Sequence, residues 1–339
     1  MDAAAAEMLR PAPQKRYALI QTPSERDADD FASAVAAGLS QPSKSLPCRF
    51  LYDARGSKLF EAICQTSEYY LTRAEHEILE AHAGQIAARF GERITLAELG
   101  SGSARKTRLL IEAFLARRAA LRYVPVDISR GALESSSRGL LARYPGLEVR
   151  AIASEYREGL RLLRVTTAGP RLVLWLGSNV GNFDRTEAAG FLRRVRRALA
   201  PEDRLLLGVD LRKQRSVLEA AYDDARGVTA RFTRNLLVRI NRELGGSFIP
   251  TSFAHRARWL EDEGKIEIHL VSRTSQRVAI AAIGLEVEFA KDEAIHMEDS
   301  YKYSPAEIDA LLEAAGLRRQ ERWLDAQARF AVVLAAPAP

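Results

Sequence analysis

The sequence predicts an α/β protein built on a parallel, doubly wound sheet that is interrupted by a second, smaller unit. Three observations predict it. Short apolar segments alternate with helical ones from residue 94 to 211. The first of these strands ends in a glycine-rich turn, "LAELGSGSARKTRLL" (96–110), and the second ends on Asp127. Beyond Asp210 the alternation gives way to a long helical stretch and then to period-two segments.

Each element follows from its own pattern. Residues 1–28 are rich in Ala, Pro and Gln, and the first dozen are expected to fray. "DADDFASAVAAGLS" has helical spacing, with Gly38 as its expected end, and "SKLFEAICQTSEYYLT" and "AEHEILEAHAGQIAARF" read as two further helices. Then come strand "ITLAELG", helix "SARKTRLLIEAFLARRAAL", strand "RYVPVDI", helix "SRGALESSSRGLLARYP" and strand "EVRAIAS". "PRLVLWLGS" is a buried strand, "DRTEAAGFLRRVRRALA" a helix and "DRLLLGVDL" another strand. Residues 215–244 read as mostly helical, and 257–293 as antiparallel strands. The C-terminal stretch reads as helix, Gly316, strand, turn and strand, adding antiparallel edge strands to the central sheet. No internal repeat is present.

Composition narrows the function. The 339 residues carry a net charge of +6, but basic and acidic residues alternate, as in "RTEAAGFLRRVRRALAPEDR", which describes a solvated helix face. Aromatic residues are only 7%, so no nucleic-acid stacking surface is expected. Cys48 and Cys64 form no C-x-x-C, and His76, His82, His255, His269 and His296 form no H-x-x-x-H pair, so no metal is expected. The opening "MDAAAAEMLRPAPQKRY" lacks a signal-peptide pattern, and no apolar run reaches membrane-spanning length. We expect a cytoplasmic monomer without membrane or nucleic-acid partners.

The turn after the first strand nearly spells two nucleotide motifs. A glycine at 105 would complete either a P-loop or a dinucleotide fingerprint, but that residue is Arg105. In the tight bend of a P-loop, Arg105 would place a Cβ where successive N–H groups must wrap a phosphate. A ligand without pyrophosphate needs no third glycine. In an open α/β sheet it would lie at the carboxyl ends of the strands, with Asp127 accepting the hydroxyls of a ribose. That description fits S-adenosylmethionine. A helix cap with a surface acid is the plainer alternative.

Six segments in order carry a resemblance: "FLYDARGSKLFEAICQTSEYYLTRAE", "LAELGSGSARKTRLLIEA", "YVPVDIS", "LWLGSNVGNF", "AAYDDARGVTARFTRNLLVRINREL" and "EDSYKY". From about residue 40 onward the chain resembles the histidine-specific methyltransferase family. Its members use S-adenosylmethionine to convert L-histidine to its trimethyl betaine, hercynine, in ergothioneine biosynthesis. The resemblance implies a Rossmann-like class I methyltransferase domain (74–212 with 303–339). It also implies an α+β substrate-binding domain formed by the N-terminal segment and an insertion (20–73 with 213–302).

Carried over by motif, the resemblance implies that Gly100, Ser101 and Gly102 line the methionine moiety of the cofactor, with Lys106 near its carboxylate. Asp127 would hold the ribose, and Glu155 and Tyr156 would flank the adenine. The family commonly has Asp then Phe at the last two positions. For the substrate, Tyr69 and Tyr222 match tyrosines that hold the carboxylate, and Asn182, in the loop opened by Gly177, matches the residue orienting the α-amino group. Tyr52 lies near the reacting end, and Glu298 and Ser300 match the pair that reads the imidazole. Ile268 falls where an apolar residue shapes the ring pocket, and Asn179 stands where many relatives carry Thr.

Read without the resemblance, Tyr69 and Tyr70 lie on a helix pattern where one could be core. Tyr222 could be a half-buried helix surface and Glu298 a solvated loop acid, while the "GSNVGN" turn at a strand's carboxyl end marks a ligand-facing loop. The rival functions are a methyltransferase of the same fold acting on another amino acid or a histidine derivative, a nucleotide hydrolase, and a non-catalytic RNA-associated protein.

Overall fold

The computed structural model describes residues 16–21, 27–167 and 169–339. The expected fraying of the first dozen residues lies outside them. The chain opens with β1 (Tyr17–Gln21), followed by α1 (Asp27–Leu39), α2 (Ala54–Ile63) and α3 (Leu71–Ala88). The alternating part is β2 (Thr95–Leu99), α4 (Thr107–Leu115), β3 (Leu121–Asp127), α5 (Arg130–Arg143), β4 (Leu147–Ala153), α6 (Tyr156–Thr166), β5 (Arg171–Trp175), α7 (Arg185–Ala198) and β6 (Arg204–Asp210). Next come α8 (Arg215–Tyr222), α9 (Val228–Leu244), β7 (Phe253–Leu260), β8 (Lys265–Ser272), β9 (Gln276–Ile280), β10 (Leu285–Phe289) and β11 (Ala294–Tyr301). The chain closes with α10 (Pro305–Ala314), β12 (Leu317–Leu324) and β13 (Phe330–Pro337).

The central sheet has the order β1-β4-β3-β2-β5-β6-β13-β12. Strands β1 to β6 pair in parallel, and β13 runs antiparallel to both β6 and β12. Both faces are covered, so alternate residues of a strand enter different cores. On β5, Leu172 and Leu174 join the core that includes Ile78, Leu110 and Leu133, whereas Val173 and Trp175 join Leu160, Phe191 and Ile308. The strand order reverses between β2 and β5, and the loops after those two strands meet at that reversal. In such sheets the reversal opens a crevice at the carboxyl ends.

The insertion forms a three-stranded antiparallel sheet, β11-β8-β7, and a separate hairpin, β9-β10. Leu218 of α8, Phe232 and Leu236 of α9, and Ile266 and Ile268 of β8 share one contiguous core with Leu96 and Leu174 of the central sheet.

Several expectations are corrected. Tyr17–Gln21 pairs with β4, in register Tyr17↔Val149, so residues 20 and 21 belong to the central sheet rather than to the second unit. Helix α1 runs past Gly38 to Leu39; a Cβ at Gly38 would stand 2.0 Å from the Ser45 carbonyl oxygen, so this glycine serves packing. The single helix expected over 57–72 is broken. The Thr66 hydroxyl donates to Ile63 O at 2.8 Å, and Arg73 donates to Thr66 O at 2.8 Å and Ser67 O at 2.6 Å, which ties a turn between α2 and α3. Tyr69 and Tyr70 therefore precede α3 instead of lying within a helix. Helix α6 had no sequence counterpart, and β11 occupies the region read as a loop around Glu298. Of the two C-terminal strands only β12 is an edge, because β13 inserts between it and β6.

Candidate active site

The turn after β2 requires a left-handed backbone at Gly100, with φ +72°. A Cβ there would lie 2.6 Å from the Tyr156 hydroxyl and 3.1 Å from Asn179 Nδ2, so a side chain would fill the cradle. At the end of β3, Asp127 accepts the N–H groups of Gly102 and Ser129, both at 2.8 Å. Burial raises its carboxyl above the ordinary value, opposed by those N–H groups. Each oxygen retains acceptor capacity, so Asp127 both shapes the glycine turn and can meet a ribose. Glu155 is exposed at the start of α6. The Tyr156 ring packs edge-on to Trp175 (6.3 Å, 82°) and 5.7 Å from Phe191, while its hydroxyl leans over Gly100.

The side chains that would make this turn a P-loop are committed elsewhere. Lys106 pairs with the wholly buried Glu75, and the Thr107 hydroxyl donates to Glu98 at 2.6 Å. Glu98 also accepts from the Tyr123 hydroxyl, and burial pushes its carboxyl up to about 7. Arg105 points outward, 70% exposed, 3.7 Å from Glu61. With Thr107 committed to Glu98 no hydroxyl is left for the magnesium of a triphosphate, while Lys106, paired to Glu75, retains two of its three donors.

Across the crevice lies a cavity. Its lining includes all seven residues singled out for the substrate: Tyr52, Tyr69, Gly177, Asn182, Tyr222, Glu298 and Ser300. Ile268 and Asn179 line it as well. These residues come from six parts of the chain, and the insertion brings them together. Glu298 and Ser300, two apart on β11, present to the same face, and Glu298 is paired with Ile268 of β8. Asn179 and Asn182 bound a single 3-10 turn after β5, entered through Gly177 and Ser178, both left-handed. The Ser178 hydroxyl accepts the Asp210 N–H at 2.9 Å, which locks that turn onto β6.

Two aromatic residues of the lining, Phe60 and Phe232, were missed by sequence reasoning. Phe60 and Phe232 stand 5.5 and 5.4 Å from Tyr52, and Tyr69 lies 6.2 Å from Phe60 and 6.0 Å from Tyr222. Both fall inside quoted motifs, yet an apolar ring on a helix reads as core until its partners are known. Burial raises the hydroxyls of Tyr52, Tyr69 and Tyr222 above the ordinary tyrosine value, so they stay protonated as donors. Burial likewise pushes Glu298 up to about 7, opposed by Lys302 and His296.

Beneath the cavity is a buried ionic cluster that the sequence reading did not include. Asp210 accepts the Tyr70 hydroxyl at 2.8 Å, Lys213 at 2.6 Å and Lys302 at 3.0 Å. Lysines at full burial are rare in a sequence window, so nothing in the residue pattern marked Lys302. On the opposite face of β8 and β11, Glu267, His296 and Asp299 come together. There the Lys265 ammonium already neutralises Asp299 at 2.9 Å.

The model of the family described as "Histidine-specific methyltransferase, SAM-dependent" matches residues 31–337. The chain belongs to this family. The methyltransferase is 43% identical over 312 residues to a histidine N-alpha-methyltransferase of Mycolicibacterium smegmatis, covering 91% of this chain and 96% of the relative. It is 32% identical to the Neurospora crassa ergothioneine biosynthesis protein 1, over 83% of this chain and 32% of that protein. An L-tryptophan methyltransferase of Psilocybe serbica is 29% identical, over 89% of this chain and 91% of that protein. The methyltransferase uses S-adenosylmethionine, as its family description states. Its fold is α/β, a mixed eight-stranded sheet flanked by helices. Among the described residues no helix is long and apolar enough to cross a membrane.

Proposed function

We propose that this enzyme transfers three methyl groups from S-adenosylmethionine to the α-amino nitrogen of L-histidine, giving hercynine for ergothioneine biosynthesis. The observation that carries this reading is the cavity that joins Glu298 and Ser300 to Tyr69, Tyr222 and Asn182. An imidazole offers one donor and one acceptor, and a carboxyl group beside a hydroxyl can answer both. A polar site of this kind rejects side chains lacking those groups more strongly than an apolar pocket would.

The crevice suits the methyl donor. Gly100 leaves a cradle, Gly102 carries no side chain, and Asp127 ends the adjacent strand. Gly100, Ser101, Gly102 and Lys106 would hold the methionine moiety, Asp127 the ribose, and Glu155 and Tyr156 the adenine. When bound, S-adenosylmethionine supplies an electrophilic methyl carbon on sulfur. The residues of the chain then position a neutral amine in line with it. Tyr69 and Tyr222 would donate to the substrate carboxylate, and Asn182 would turn the amine lone pair toward the crevice. Tyr52, Phe60 and Phe232 would offer ring faces to the nitrogen as it becomes a fixed cation.

We take the enzyme to act as a cytoplasmic monomer on a small molecule, without nucleic acid or membrane; its mixed-sign surface supports this. The second reading is another aromatic amino acid, favoured by the relative named for tryptophan. The deciding experiment incubates the enzyme with S-adenosylmethionine and an equimolar amino-acid mixture, followed by mass spectrometry. Histidine alone should gain three methyl groups, and Glu298→Ala should lose that selectivity. Methylation of a different amino acid by the unaltered enzyme would refute the ring-pocket assignment.

A further inference from the structure

Lys302 follows β11 directly beneath the cavity and has no exposed surface. All three of its N–H bonds are used. They reach the Tyr222 hydroxyl at 2.7 Å, the Ser300 hydroxyl at 2.7 Å and Asp210 Oδ2 at 3.0 Å. The Tyr222 and Ser300 hydroxyls are themselves 2.9 Å apart.

Counting protons gives this arrangement a direction. An ammonium only donates, so both hydroxyl oxygens act as acceptors toward Lys302. The two hydroxyls own two protons between them, and one lies in the bond that joins them. The other is left to face the cavity that Tyr222 and Ser300 both line. Without Lys302, each hydroxyl could turn its proton inward and present a lone pair to the cavity instead.

Charge points the same way. The lining contains Glu298 but no lysine, arginine or histidine. A zwitterionic amino acid adds a second carboxylate to that site. Lys302 lies one hydroxyl away, and Asp210 keeps it charged at no cost to the lining. Asp210 in turn remains paired to Lys213 and Tyr70, so the cluster does not depend on Lys302 alone.

We propose that Lys302 is a positioning residue for the substrate α-carboxylate. It sets the donor direction of the Tyr222–Ser300 pair and supplies the counter-charge that the lining lacks. The inference rests on the reading above that this carboxylate lies against Tyr222.

The test is a double-mutant cycle read by calorimetric titration of L-histidine into enzyme saturated with S-adenosylhomocysteine. Lys302→Met should weaken histidine by about tenfold to a hundredfold, the range for a hydrogen bond to a charged group. Its affinity for S-adenosylhomocysteine should stay within about twofold, and on a Tyr222→Phe background the same substitution should cost less than about threefold. Equal cost in both backgrounds, unchanged histidine affinity, or a parallel loss of S-adenosylhomocysteine binding would each overturn the proposal. If Lys302→Met does not fold, Lys302→Gln carries the same cycle, because it keeps two of the three N–H donors while removing the charge; a smaller but still non-additive loss is expected. Unchanged histidine binding in Tyr222→Phe alone would instead overturn the placement of the carboxylate, and the inference with it.

Discussion

Glu75 holds Lys106 at the mouth of the crevice. Its buried carboxylate accepts the Lys106 ammonium and, at 2.8 and 3.0 Å, the N–H of Gly177. One side chain thus ties the turn after β2 to the turn after β5, the two loops that meet where the sheet order reverses. Glu75→Ala would leave a largely buried ammonium and a backbone N–H without partners. Loss of about 3 kcal/mol of stability is expected in urea unfolding, together with weaker S-adenosylhomocysteine binding. Glu75→Gln, which keeps an acceptor for Gly177, should lose less stability. Equal loss in both variants would show that the Gly177 bond contributes nothing.

Gly100 and Tyr156 give a second prediction. Gly100→Ala meets two separate obstacles, the left-handed backbone and a Cβ only 2.6 Å from the Tyr156 hydroxyl. The backbone part costs about 1 kcal/mol whatever the neighbour. Tyr156→Phe removes the hydroxyl and should restore part of the lost stability and cofactor affinity in the double variant. Thermal melts and S-adenosylhomocysteine titrations of the three variants check this. Strict additivity would contradict the close approach.

The parallel sheet was legible because each of its strands is a short apolar run flanked by a helical pattern, as in "PRLVLWLGS". The strand Tyr17–Gln21 was not, since it is short, half-exposed and surrounded by polar sequence. Helix α6 escaped notice because "YREGLRLLRVT" places charges between its apolar residues directly after a strand. Asp127 and the "GSNVGN" turn stood out by their place at strand ends, whereas Tyr52, Tyr69, Tyr222, Glu298 and Ser300 became visible only through ordered motifs. Spacing alone would have left Glu298 as a surface acid, and it is the pairing of β11 with β8 that turns it inward. Glu75 and Lys302 remained hidden for a physical reason. A buried charge is recognised by its partner, and both partners lie far away in sequence.

The rings of Phe60 and Phe232 predict how the enzyme treats its product. An apolar wall serves a neutral amine and a trimethylammonium differently, because only the latter carries a fixed cation that a ring face attracts. Phe232→Leu keeps most of the volume and removes the ring. It should weaken the trimethylated product by about 1 kcal/mol while changing histidine affinity less. Calorimetry with both ligands measures the difference. Equal weakening would mean that the ring only fills space.

Glu298 makes the site sensitive to pH. Burial lifts its carboxyl from 4.5 to about 7, so the folded chain keeps a proton that the unfolded chain releases. Between those two values this group holds more protons in the folded state, so its contribution to stability falls as pH rises. Glu298→Gln removes that group and should flatten the decline in urea-unfolding free energy across the window. The same proton governs recognition. Above about 7 the carboxylate can only accept an imidazole N–H, whereas below it the protonated acid can also donate through its hydroxyl to the bare nitrogen. The KM for histidine in the unaltered enzyme should therefore bend near neutral pH beyond what the free imidazole explains. In Glu298→Gln only the substrate's own titration should remain. An identical bend in both proteins would place the titrating group on the substrate and remove Glu298 from ring recognition.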